Sequence, residues 1–103
     1  MLARIGMPDA IVMRHRSPHF AHVFSGDGYA SGYYSYMWSE VLDADAFEAF
    51  TETGDPFDPE MAQSLLRNIY SAGNSRPADV LYQAFRGRMP DAGALMRKRG
   101  LAA

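Results

Sequence analysis

Apolar positions recur at helical spacing through most of the chain. From Tyr29 to about Thr53 there is no proline, the only glycine is Gly32, and Gly54 stands where a helix end favours glycine. This predicts a long helix near 29–53. Its first turns are aromatic or apolar nearly all round, with Ala30, Tyr34, Met37, Trp38, Val41 and Leu42 on one face, as in helices buried on several sides. Asp58-Pro59-Glu60 then supplies a cap, a proline at the first helical position and an acid in the first turn. A second helix is expected near 59–72, with Met61, Leu65, Ile69 and Tyr70 as its buried stripe and Gly73 at its end. Arg76-Pro77-Ala78-Asp79 repeats the start signal. It predicts a helix near 77–86 with Val80, Leu81, Ala84 and Phe85 as its apolar face, closed by Gly87. Pro90-Asp91 opens a last one near 91–99, carrying Leu95 and Met96, whose basic end Arg97-Lys98-Arg99 suits the negative pole of the helix dipole. Upstream, Ser17-Pro18 pushes the backbone out of the helical region. Ser25-Gly26-Asp27-Gly28 is turn chemistry, tolerant of positive φ. The expectation is therefore an all-α chain: an irregular N-terminal segment followed by about four helices with short linkers.

Composition narrows the classes. The chain has 103 residues, room for one small unit, and its 48% apolar and 21% charged residues are ordinary for a folded protein. Ten basic against twelve acidic side chains leave a formal charge of −2, which gives no field to hold a nucleic acid or an anionic membrane. The lack of cysteine removes disulfides, thiolate zinc sites and a cysteine nucleophile. No run is long and apolar enough for a signal core or a membrane span. A soluble, cytoplasmic, unprocessed protein is expected.

The stretch HVFSGDGYASGYYSYMWSEV, residues 22–41, holds four of the six tyrosines and the only tryptophan. On an unbroken helix Tyr29, Tyr33, Tyr36 and Glu40 fall within roughly 60° of one another at about 100° per residue. Two readings are open. The tyrosines pack their rings against other helices and find partners for their hydroxyls, or they form a wall of phenol donors that holds a polar substrate and stabilises charge developing on an oxygen. His15, His19 and His22 are spaced four and three apart, as three ligands on one helical face would be. Pro18 interrupts that helix, and the sequence has no HExxH. A Ser25, His22 and Asp27 grouping lacks a nucleophile-elbow pattern and gives no reason to expect a triad.

The string HFAHVFSGDGYASGYYSYMWSEVLDADAFEAF resembles the C-terminal part of the thimet oligopeptidase and peptidyl-dipeptidase family of zinc metallopeptidases. That family shows a histidine, a glycine-rich loop, a tyrosine and then A-x-YY-x-Y before an aromatic helix. His22, Gly26, Gly28, Tyr29, Tyr33, Tyr34 and Tyr36 stand in that order here. The closing NSRPADVLYQAFRGRMPDAGALMRKRGL is similar too, so the likeness extends from about Gly6 to Leu101.

The resemblance implies part of a larger helical zincin fold with a deep channel. Its zinc sits on an HExxH helix with a further glutamate, and none of those residues is in this sequence, so no zinc is expected on this chain alone. It implies Tyr36 and His22 as catalytic positions. The tyrosine matching Tyr36 bonds the oxyanion formed when zinc-activated water attacks the scissile carbonyl, and the histidine matching His22 contacts the substrate backbone. Tyr29, Tyr33, Gly26 and Gly28 become substrate-binding positions, the glycines as a hinge of the loop. The chain is then expected to be the substrate-binding, oxyanion-stabilising C-terminal portion of an enzyme that hydrolyses short peptides, inactive alone. The competing expectation is a stand-alone helical module that binds peptides or a helical partner without catalysis. The expected partners are short peptides, the upstream metallopeptidase part, or a second copy through exposed apolar faces.

Overall fold

The computed structural model describes residues 1–102. They contain helices and turns and, among the described residues, no strand. The chain forms two compact units, one ending at Ser35 and one starting at Tyr36.

The first unit is built from short pieces. A 3₁₀ turn spans Leu2–Ile5, a second spans Ser17–His19 with Pro18 inside it, and a single helical turn, α1, spans Ala21–Phe24. None of residues 1–35 is buried. What holds the later part together is an aromatic cluster centred on Phe20, described below.

The second unit is a packed set of helices. α2 spans Ser35–Glu52, α3 spans Pro59–Leu65, α4 spans Ala78–Arg86 and α5 spans Gly93–Lys98. α2 starts at Ser35 and not at Tyr29: the Gly32 amide bonds the Tyr29 carbonyl at 3.3 Å and the Ser35 amide bonds the Gly32 carbonyl at 3.0 Å. Such three-residue steps are turns, and Gly32, the one residue there without a side chain to order, sits among them. The long helix of the sequence reading is therefore shorter at its front by its tyrosine-rich turns, and Tyr29 and Tyr33 do not share a helical stripe with Tyr36.

α3 begins as its sequence dictates, with Asp58 Oδ1 accepting the Met61 amide at 2.7 Å ahead of Pro59. It continues into a π turn, Leu66–Tyr70, in which the Ser71 amide bonds the Leu66 carbonyl at 2.8 Å. The extra residue in that turn re-aims the face. Ile69 packs inward while Tyr70, expected in the buried stripe, is 71% exposed. α4 ends on Gly87, whose φ of 78° suits glycine and lets its amide bond the Gln83 carbonyl. Its buried face is Leu81, Tyr82 and Phe85, whereas Val80 and Ala84, expected there, lie outward. α5 starts two residues later than expected because the Asp91 side chain bonds the Gly93 amide ahead of the first turn.

Two small clusters form the core. Ala49, Tyr82 and Phe85 pack with Leu42, Phe50, Met61, Leu65 and Ile69, and Ala44 packs with Ala94, Leu95 and Val41. The alanines of α2 let α4 and α5 come close to its backbone. Between these helices lies Asp45, with no exposed surface, its Oδ2 accepting the Tyr82 hydroxyl at 2.6 Å. Burial, and then that bond to a carboxylate, push the Tyr82 phenol above its ordinary value of 10.0. A raised pKa favours the protonated form in the folded state, so the contribution is present below pH 10.0 and is lost as pH rises through the folded value. Urea midpoints are expected to fall more steeply with pH above 10.0 for the native chain than for Tyr82→Phe; equal slopes would contradict this.

Candidate functional site

In the first unit the sequence brings three of its candidate residues together. α1 carries His22, Ser25 ends it with its amide on the Ala21 carbonyl, and Ser25-Gly26-Asp27-Gly28 turns the chain back. The His22 ring then lies 5.8 Å from Tyr29 and 5.6 Å from Tyr33, and the two tyrosine rings are 6.2 Å apart, all edge to face. Phe20 supports the group, 4.6 Å from Tyr33 and 6.2 Å from His22. Edge-to-face contacts suit ring quadrupoles and fix ring planes without using the polar tips. Tyr29 and Tyr33 are 38% and 37% exposed, so the cluster forms part of this unit's surface.

Gly26 and Gly28 flank that turn without the positive φ that turn chemistry allows, and a Cβ at either would meet open space. Their glycine identity is thus required by neither backbone sign nor crowding in this conformation.

The three histidines do not converge. His15 stacks on Phe20 at 5.9 Å and His22 lies against its other neighbours, while His19 belongs to the 3₁₀ turn with Pro18. Among the described residues no group of three or more His, Cys, Asp or Glu side chains could hold a metal ion. These residues do not fit a zinc ion.

Tyr36 belongs to the second unit, in the first turn of α2, and its side chain is about half exposed. One turn on, Glu40 pairs with Arg99 at 2.5 Å, and that hydrogen bond holds the Glu40 carboxyl below its usual range. The basic end of α5 continues the pattern: Arg97 grips Glu48 through two bonds of 2.8 and 2.7 Å, and Lys98 reaches Asp43 at 3.1 Å. The Arg97-Lys98-Arg99 turn therefore binds α2 in addition to completing its own helix.

Sequence reasoning missed the most deeply placed charge. Asp45 Oδ1 accepts Arg88 Nη2 at 2.5 Å, and Arg86 Nε stands 3.4 Å from Oδ2 while its Nη atoms take the Glu52 carboxylate at 2.6 Å. The signal was available. Asp45 sits three after Leu42 and four before Ala49, on the buried arc of α2, where a charge requires buried partners. The same unit carries an apolar hollow of about 280 Å³ lined in part by Trp38, Leu42, Ile69, Leu81 and Met89. Among the described residues no helix is long and apolar enough to cross a membrane.

Comparison with known proteins places these features in a family. A model of peptidase family M3 matches residues 2–101. Over 87 residues the chain is 48% identical to oligopeptidase A of Haemophilus influenzae, covering 84% of this chain and 12% of that protein. It is 49% identical to oligopeptidase A of Escherichia coli over the same shares. Over 92 residues it is 40% identical to dipeptidyl carboxypeptidase of Salmonella typhimurium, covering 89% of this chain and 13% of that one. The chain thus spans about an eighth of the length of these relatives. Because the matched span takes in α1 with His22, the glycine turn, the tyrosines and all of α2 to α5, the chain belongs to peptidase family M3.

Proposed function

We propose that this chain is the C-terminal substrate-binding and oxyanion-stabilising portion of a zinc-dependent oligopeptidase or peptidyl-dipeptidase that hydrolyses short peptides in the cytoplasm. The observation that supports it is the mutual approach of His22, Tyr29 and Tyr33, at 5.6 to 6.2 Å, on an exposed turn. Rings braced on one another lose little further freedom when their imidazole and hydroxyl groups bond a peptide backbone. The open space at Gly26 and Gly28 allows a peptide main chain to come close and the loop to adjust. Tyr36 donates its hydroxyl proton in a hydrogen bond to the carbonyl oxygen as negative charge builds there. The zinc of such an enzyme is held by residues outside this chain.

On this reading the purified chain hydrolyses no peptide with zinc added, whereas the full-length peptidase carrying it does. In the latter, His22→Ala raises KM by about tenfold, the worth of one lost hydrogen bond to substrate. Zinc-dependent turnover by the 103-residue chain alone would sink the proposal.

The apolar hollow beside Trp38, which is 64% exposed, favours a second reading, a stand-alone helical module that binds peptides or a helical partner without chemistry of its own. Saturable peptide binding by the isolated chain, unaffected by His22→Ala, would distinguish it.

A further inference from the structure

α2 carries Tyr36 in its first turn and Asp45 in its middle. Nine residues at about 100° each bring the chain round to the opposite side of the helix, about 14 Å further along its axis. One side of α2 is therefore fixed inside the second unit while the other presents the phenol, which agrees with Asp45 having no exposed surface and Tyr36 being 51% exposed. The apolar contacts of α2, through Val41, Leu42, Ala44, Ala46, Ala49 and Phe50, are non-directional. The Asp45 carboxylate is different. Oδ2 takes the Tyr82 hydroxyl from α4 at 2.6 Å and Oδ1 takes Arg88 Nη2 from the following loop at 2.5 Å. Both bonds are directional, come from different segments and use both oxygens, so α2 cannot turn about its axis without breaking them.

We propose that Asp45, with Tyr82 and Arg88, is a positioning residue for Tyr36: the buried carboxylate sets the rotation of α2 and thereby the direction in which the Tyr36 hydroxyl is offered to the oxyanion. The inference rests on the role proposed above for Tyr36. Its leverage is large because the phenol oxygen stands about 9 Å from the helix axis, so a rotation of about 10° moves it by about 1.5 Å. Misplacing a reacting group by about 1 Å costs about 100-fold in rate.

The experiment is a double-mutant cycle in the full-length peptidase, reading kcat and KM for a short peptide, each corrected for the folded fraction by circular dichroism. Asp45→Asn turns one acceptor into a donor facing Arg88 or Tyr82. It is expected to lower kcat by about 10- to 100-fold with KM within about threefold. In the Tyr36→Phe background the same substitution is expected to change kcat by less than about threefold, because the group it positions is gone. Where Asp45→Asn does not fold, Tyr82→Phe carries the test: it keeps the ring in the core, removes one of the two bonds, and should lower kcat about 3- to 10-fold in the native background only. Equal losses in both backgrounds would show a merely structural role and overturn the inference while leaving Tyr36 its function. An unchanged kcat for Tyr36→Phe itself would overturn the reading of Tyr36, and this inference with it.

Discussion

In the full-length peptidase carrying this chain, Tyr36→Phe is expected to lower kcat by about 10²- to 10³-fold while KM changes little, the loss seen when one preorganised oxyanion donor is removed. The substitution deletes a single hydroxyl and keeps the ring. Tyr36 is half exposed in the first turn of α2, and unfolding curves separate any change in stability from the change in rate. In the role proposed for Tyr36 the interaction is made only when charge develops on the substrate oxygen, hence the expected effect falls on kcat and not on substrate affinity. A kcat within a few fold of native would remove Tyr36 from the chemistry. Steady-state kinetics on one short peptide, with unfolding curves alongside, are sufficient to decide.

The largest effect on the fold itself is expected from Asp45→Ala, at about 3–5 kcal/mol, the range for removing one partner of a buried ion pair. The truncation leaves Arg88 and the Tyr82 hydroxyl facing a hole in the core. Arg86 still keeps the Glu52 carboxylate, so the loss is local to the centre of α2. Asp43→Ala is the matched control on the same helix. Asp43 is largely exposed, its bond to Lys98 is 3.1 Å long, and such surface pairs are worth about 0–1 kcal/mol. Urea unfolding of the isolated chain should therefore separate the two variants widely, and similar midpoints would refute the account of Asp45.

What the sequence made legible was what local chemistry decides. Asp58-Pro59 fixes the start of α3 and Gly87 the end of α4, because each acts within one helical turn. The helical class followed from those signals together with apolar spacing, and the family from the order of His22, the glycine turn and the tyrosines. The start of α2 was not legible. No proline marks residues 29–34, and only their bonding pattern, closed every three residues, shows that they turn before the helix begins. Tyr70 was misplaced because a single π turn shifts one residue without any sequence breaker. The phenol group at His22 was readable as a list of residues, but its assembly depends on ring contacts between α1 and the turn that follows. Asp45 could be placed on the buried arc by its spacing from Leu42 and Ala49, but its partner Tyr82 lies 37 residues away, so nothing local names what satisfies it.

The three pairs that tie α5 to α2 also carry a consequence for the order in which the chain takes shape. Arg97, Lys98 and Arg99 meet Glu48, Asp43 and Glu40 across separations of 49, 55 and 59 residues, running backward along α2 as they run forward along α5. Synthesis proceeds from the N-terminus at about 5–20 residues per second, so α2 is made seconds before its basic partners exist. During that interval its acids are satisfied by water. The ionic seam of α2 therefore closes only once Arg97, Lys98 and Arg99 have been made, and until then Glu40, Asp43 and Glu48 stand open to water.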